Sequence, residues 1–285
     1  MRSTRRMEPA AAVIDPTDRS EDPPSGAAAR SGTGGRHGPP WSQGFVDYER
    51  VAARYQQGRA LAAEVLDRWA SAVSPHLPSG LIRVVDVGAG TGIFAAAWPR
   101  WTTAAVVAVE PSAAMVRAAR VEDPAVSFVL GTAEALPLRD GCADVVWVST
   151  ALPHFADVHQ AVREFTRVLG HGGRVLVRTL VPSRTGTTWL DEFPGRAKWE
   201  ARCHTEQQLT EIFQPHGFEP THAQEVLEGT ETYAESADWV QRMRHADSAL
   251  TALSDEEIAE GVQKLRSTPT KVSRVELTLF VFTQQ

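Results

Sequence analysis

The chain has 285 residues, with 29 Lys and Arg against 35 Asp and Glu and a formal net charge of −6. That balance argues against nucleic acid as the main partner, because neutralising phosphates needs clustered basic side chains. No apolar run reaches the roughly 18 residues that would span a bilayer, so no membrane partner is expected. The two cysteines, Cys142 and Cys203, are too few for a disulfide framework. No Cys/His cluster has metal-ligand spacing, so the expectation is a reduced, cytoplasmic protein without a metal.

Residues 1–42 are rich in Pro, Gly, Ser, Ala and Arg and carry almost no large apolar residue. Such a segment cannot bury enough surface to fold, so it is predicted to be a disordered tail. Met1 to Arg6 is basic, but no apolar h-region follows, and Asp15, Asp18, Glu21 and Asp22 intervene. This predicts no secretory leader, and Met7 offers an alternative start. Residues 43–285 are expected to form one α/β domain in three stretches: helices at 43–78, a core at 79–180, and insertions with the last strands at 181–285. Between Trp41 and Leu77, the residues Val51, Tyr55, Leu61, Val65 and Trp69 recur at roughly helical spacing, with a break near Gln57-Gly58.

Residues 84–92 read VVDVGAGTG. Two β-branched residues lead into Asp86 and Val87, as in a buried strand. Gly88, Gly90 and Gly92 then form a loop where a ligand can press against bare backbone. A dinucleotide fingerprint would place its third glycine at position 93, which is Ile93. A second apolar strand, Val106 to Val109, ends in Glu110, a carboxylate that can accept hydrogen bonds from both ribose hydroxyls of a nucleoside. Pro111-Ser112 predicts a helix start with proline in its first turn. Next come FVLGTAEALP at 128–137, a fourth strand from Asp144 to Val148 with Ser149 at its carboxyl end, and an amphipathic helix from Val158 to Leu169. That helix has Ala161, Phe165, Val168 and Leu169 on one face and Arg163, Glu164 and Arg167 away from it. Gly172-Gly173 is expected to end it, and Arg174 to Val177 to open the fifth strand.

The run DVGAGTG from Asp86 to Gly92 closely resembles the first motif of the class I S-adenosylmethionine-dependent methyltransferases. Phe128 to Pro137 resembles the segment that borders the adenine ring in members of the ubiquinone- and menaquinone-biosynthesis type. EFTRVLGHGG, from Glu164 to Gly173, matches the same family. The resemblance spans about residues 46–180 and is looser beyond. It implies a doubly wound, Rossmann-like, seven-stranded and mostly parallel sheet, with an antiparallel last strand and N-terminal lid helices. It also implies S-adenosyl-L-methionine as cofactor. The residues it places against that cofactor are Asp86, Gly88, Ala89, Gly90 and Gly92; Glu110, Pro111 and Met115; Thr132, Ala133 and Glu134; and Ser149. The family usually has an Asp where this chain has Thr132, so the adenine contact is expected to weaken or to move to Glu134 or to backbone. In similar members an aromatic and a basic residue on the lid helix face the methionine end. That implies Tyr55 near the sulfonium and Arg59 near the carboxylate; the spacing itself leaves open a packed Tyr55 and a solvated Arg59.

Beyond the fifth strand, Trp189, Phe193 and Trp199 stand in a polar setting. Thr205 is expected to cap a helix to Phe213, with Glu206 in its first turn. Phe218 to Glu228 reads as a sixth strand, two helices follow at about 233–245 and 254–266, and Val275 to Phe282 reads as a last strand inserted in the sheet.

His154, after the fourth strand, is the candidate general base; a structural histidine is the competing reading. The expected substrate side comprises Tyr48, His154, Trp189, Phe193, Trp199 and His204, with His204 and Tyr233 further candidate bases. Ser149-Thr-Ala-Leu152 differs from the Asn-Pro-Pro-Tyr of many base-modifying methyltransferases, which again disfavours nucleic acid. The expected enzyme methylates O, N or C of a small aromatic or polycyclic specialised metabolite, as a monomer or homodimer. Two alternatives stay open: a quinone-type C-methyltransferase, and a cofactor-binding protein without catalysis.

Overall fold

The computed structural model describes residues 61–119, 123, 125–184, 186 and 188–285. Helix α1 (Ala63–Val73) precedes strand β1 (Ile82–Val87), which leads through the glycine loop into α2 (Ile93–Trp101). Then follow β2 (Ala104–Glu110), α3 (Ala113–Ala118), β3 (Val126–Leu130), β4 (Ala143–Ser149), α4 (Val158–Val168) and β5 (Leu169–Thr179). The last third holds α5 (Arg196–Glu200), α6 (Glu206–Phe213), β6 (Phe218–Thr232), α7 (Tyr233–Met243), α8 (Ser248–Thr251), α9 (Asp255–Ser267) and β7 (Val272–Gln284).

The seven strands form one sheet in the order β3-β2-β1-β4-β5-β7-β6. The first five pair in parallel, with Val85 beside Val107 on one side and Val146 on the other. β7 runs antiparallel between β5 and β6. The chain winds outward from β1 to β3, then restarts at β4 on the other side of β1. That reversal opens a crevice at the carboxyl ends of β1 and β4, where open α/β sheets bind ligands.

Near-continuous Val and Ala in β1, β2 and β4 suit strands covered on both faces. One face packs Val85, Val107, Val146, Phe165, Phe213 and Phe280. The other packs Val84, Val106 and Leu176 with Trp69, Phe94, Trp98 and Trp147. The rings on this second face meet edge to face, as their quadrupoles favour: Trp69 lies 6.0 Å and Trp98 5.7 Å from Trp147. A third core of Phe193, Tyr233, Val240, Leu250 and Leu265 lies under α7 and α9, so residues beyond 188 build a helical cap with its own apolar centre.

Several boundaries differ from expectation. α4 ends at Val168, and Leu169 is already extended. Gly172-Gly173 therefore does not end the helix. Between Ala143–Leu169 and Val145–Arg174 the register slips, so residues 170–173 bulge from the ladder. Gly173 fits there because a Cβ would fall 2.9 Å from Gly170 O. Ser112, not Pro111, starts α3: its Oγ accepts from Met115 N at 3.2 Å. β6 runs four residues past Glu228 because β7 pairs with it as far as Thr232–Val272. Of the expected lid helices, only the part from residue 61 on is described. Val65 and Trp69 are buried there, as the helical spacing predicts.

Candidate functional site

The crevice opens into a cavity of about 610 Å³, within the usual range for small-molecule sites. Its floor is the glycine loop. Gly88, Gly90 and Gly92 have φ of +69°, +58° and +81°, a region costly for residues with a Cβ. At Gly88 a Cβ would also meet Ala151 Cβ at 2.6 Å. The loop therefore turns only because these positions are glycine, and it presents bare backbone to the cavity.

Glu110 fixes this loop from the end of β2. Its Oε2 accepts from Gly90 N at 2.9 Å and its Oε1 from Ser112 N at 3.0 Å. It is only 6 % exposed, so it is no solvated strand-end charge. Asp86, 2 % exposed, lines the cavity near the end of β1. Burial, reinforced by the Glu110 charge, lifts its carboxyl to about 8, against a downward pull from the Ala95 backbone N–H. Thr91 Oγ1 is buried with no hydrogen-bond partner among the described residues, and Thr91 lines the cavity. Native interiors rarely leave such a group unmet, so a ligand with polar atoms suits this floor.

Ala89, Pro111, Met115, Thr132, Ala133 and Ser149 also line the cavity. Gly92 does not; it stands before the first turn of α2. Glu134 lines the wall, but its Oε1 already accepts from Ala156 N at 2.7 Å and Asp157 N at 3.3 Å. It thereby ties the 132–137 segment to the loop after His154. Behind it, Glu164 accepts from Leu136 N, while Arg167 donates to the Leu136 and Leu138 carbonyls. The polar face of α4 thus pins the loop bordering the cavity. The hydrogen bonds that Arg167 donates to the Glu164 and Asp140 carboxylates hold its pKa above its ordinary value despite burial.

His154 closes a short 3₁₀ turn, Leu152–His154, and lines the cavity. Thr150 just before it has φ of +53°, strained for a β-branched residue; such outliers cluster at functional sites. Trp189 and Trp199 line the outer wall.

Phe193 and His204 do not line the cavity. Phe193 is 2 % exposed and packs against Gly261, because the helical cap needs a ring at its centre. Burial lowers the His204 pKa, and its Nδ1 has no partner among the described residues. Tyr233 is fully buried and donates to Glu192. Cys203 lines the cavity, but burial pushes its thiol up to about 12, which disfavours a nucleophilic role. Tyr48, Tyr55 and Arg59 lie outside the described residues.

The structure adds residues that sequence reasoning missed. Arg178 donates to Glu228 from Nε and Nη2, each at 2.7 Å, and to Ser149 Oγ at 3.0 Å. Trp69 Nε1 donates to the same Glu228 at 2.7 Å. Both charged residues line the cavity, as do Trp239 and Glu231. The available signal was an arginine directly after the apolar run Val175 to Val177.

Residues 85–177 match the methyltransferase domain family. That stretch, from β1 to β5, is similar to methyltransferase domains. The chain is 36% identical over 141 residues to the malonyl-[acyl-carrier protein] O-methyltransferase of Herminiimonas arsenicoxydans, covering 49% of each chain. It is 38% identical over 155 residues to an uncharacterized methyltransferase of Mycobacterium tuberculosis, covering 52% of this chain and 57% of that one. The chain thus matches about half the length of such curated relatives. In fold it is similar to a protein described as a methyltransferase of an antibiotic biosynthesis pathway from Anabaena variabilis, with a TM-score of 0.63, 20% identity, and coverage of 80% of this chain and 100% of that one. It is likewise similar to the [4+2]-cyclase SpnF, with a TM-score of 0.59, 20% identity, and coverage of 83% and 94%. The fold alone is shared by proteins described with different chemistry. No helix of the described residues is long and apolar enough to cross a membrane.

Proposed function

We propose that this protein transfers a methyl group from S-adenosylmethionine to a small aromatic or polycyclic molecule held under the helical cap. The observation that carries this reading is the glycine loop. Two positive-φ glycines, Gly88 and Gly90, face the 610 Å³ cavity beside a buried carboxylate and an unmet threonine hydroxyl. Asp86, Gly88, Gly90, Glu110, Met115, Thr132, Ala133 and Ser149 would hold the cofactor. When bound, it supplies an electrophilic methyl group.

The chain's own contribution is binding, positioning and exclusion of water. Glu110 holds the loop in shape and keeps a carboxylate beside the cavity for the ribose hydroxyls. Glu134, Glu164 and Arg167 fix the wall above it. The cap brings Trp189, Trp199 and Trp239 over the opening and would shield an apolar substrate. His154, on the cavity wall, would accept a proton from a weakly acidic nucleophile. The experiment is titration calorimetry with S-adenosylhomocysteine and with NAD, followed by mass spectrometry of metabolites incubated with S-adenosylmethionine. Binding of S-adenosylhomocysteine but not NAD, with a methyl mass gain on a small molecule, supports the reading. Preference for NAD overturns it.

A further inference from the structure

We propose that the outer half of the cavity selects substrates carrying a protonated amine next to an aromatic or apolar body. This deepens, and rests on, the reading of the cavity as a methyltransferase's substrate chamber. Three tryptophans from separate segments converge there: Trp189 from a 3₁₀ turn, Trp199 from α5 and Trp239 from α7. The rings of Trp189 and Trp239 lie 5.4 Å apart at 51°, neither stacked nor edge-on. Indole faces are the strongest aromatic partners for an ammonium group, and cages of such rings bind alkylammonium ions.

The charge around the rings has the matching sign. Glu231 lines the same cavity. Its backbone pairs with Ser273, whose Oγ accepts from Trp189 N at 2.9 Å, so carboxylate and ring share one anchor. Among the described residues no Lys or Arg forms an ion pair with Glu231. Burial, with the neighbouring Glu235, raises its pKa, while the Ser236 hydroxyl and the charge of Arg242 act the other way; a bound cation would relieve the cost of ionising it. Arg202 also stands on the wall, beside Cys203, while several other charges there are committed. Glu276 is paired with Arg274 at 2.7 Å, Asp247 caps α8 through Ala249 N and Leu250 N, and Arg178 is neutralised by Glu228. Next to Trp189 and Trp239 a substrate carboxylate would meet the Glu231 charge, whereas an ammonium group would meet both the rings and a counter-charge that no cation neutralises among the described residues.

The test compares phenethylamine, 2-phenylethanol and 3-phenylpropionate, which share the ring and differ in charge. Binding to the full chain saturated with S-adenosylhomocysteine is read by tryptophan fluorescence and calorimetry at neutral pH. The expected result is at least tenfold tighter binding of the amine than of either other probe. Glu231→Gln should reduce that preference to under threefold at unchanged S-adenosylhomocysteine affinity, and Trp239→Leu should weaken the amine more than the alcohol. Equal binding of amine and alcohol, tighter binding of the carboxylate, or a preference that survives Glu231→Gln overturns the proposal. Failure to bind S-adenosylhomocysteine would strike the cofactor reading instead, because the amine preference is scored between probes under one condition.

Discussion

Arg178 and Glu228 clasp each other through two hydrogen bonds of 2.7 Å although β7 separates their strands in the sheet. Glu228 is the extra residue of a bulge: Leu227 pairs with Glu276 and Gly229 with Val275, so Glu228 has no partner in the ladder. A bulge re-aims a side chain, and this one turns a carboxylate toward the arginine at the end of β5. The guanidinium also lies 5.3 Å from the Trp69 ring and 5.2 Å from that of Phe94. The pair joins the parallel half of the sheet to the antiparallel half at the wall of the cavity.

Removing one partner should therefore cost more than removing both. With both side chains under 10 % exposed, Arg178→Met or Glu228→Met alone should destabilise by about 3–5 kcal/mol, because each leaves a buried charge unpaired. The double variant should recover more than half of the summed loss. Urea unfolding of the four proteins gives the coupling energy; additive losses would mean that the pair is not an energetic unit.

The central sheet was legible in the sequence, because continuous Val and Ala runs ending in Gly88, Glu110 and Ser149 mark buried parallel strands with a ligand edge. The glycine loop and Glu110 were legible for the same reason: each carries its chemistry in a short local pattern. The outer wall was less so. Trp189 and Trp199 stood out, but Phe193 has the same composition signal and went to the core of the cap, while Trp239 sat unremarked inside a helix. Which ring faces a cavity depends on how α7 and α9 pack, a long-range matter. Arg178 and Glu228 lie 50 residues apart, and no local pattern pairs them. The Gly172-Gly173 stop failed because those glycines serve a bulge, which local punctuation does not distinguish from a helix end.

Asp86 predicts a pH-dependent stability. Its carboxyl sits at about 8 in the folded protein against 3.8 as the ordinary value. Between these values the folded state holds a proton that the unfolded chain has lost, so stability from this group falls as pH rises, by up to about 1.4 kcal/mol per unit. Above pH 8 the loss is complete, and below 4 it is absent. Asp86→Asn should flatten this slope in ligand-free protein, so that the variant is the more stable at pH 8 by several kcal/mol. Melts from pH 5 to 9 check this. Parallel curves for the two proteins would mean that Asp86 ionises freely.

Gly88→Ala separates two costs at the floor of the site. The added methyl would meet Ala151 Cβ at 2.6 Å, and φ of +69° disfavours any L-residue by roughly 1–2 kcal/mol. Ala151→Gly in the same chain should remove the clash and leave the strain. We expect the single variant to lose stability and S-adenosylhomocysteine affinity, and the double variant to regain part of both. No recovery would show that backbone conformation alone excludes alanine.

His154→Ala should lower kcat by roughly 10²–10⁴ once a substrate is in hand, the usual range for a lost general base. Cofactor affinity should hardly move, and the ascending limb of the pH–rate profile near the imidazole pKa should vanish. A loss under about tenfold with an unchanged profile would assign His154 to structure and leave proximity as the source of catalysis.

Glu110→Gln tests the loop and the buried acid together. A carboxylate accepts from both Gly90 N and Ser112 N; an amide has one acceptor oxygen and must turn its NH₂ toward one of these donors. One backbone N–H then loses its partner, so ligand-free stability should fall by about 1–3 kcal/mol. S-adenosylhomocysteine affinity should fall by a further 1.5–3 kcal/mol or about that, if the charged carboxylate also takes ligand hydroxyls. The same change removes the negative charge that helps to lift the Asp86 pKa. The pH window in which Asp86 costs stability should therefore narrow from its upper end, and the melting curves of Glu110→Gln should level off at a lower pH than those of the parent. Three readouts thus follow from one substitution. A variant that loses affinity yet keeps both the parent's stability and its pH slope would show that Glu110 meets only the ligand and does not hold the loop.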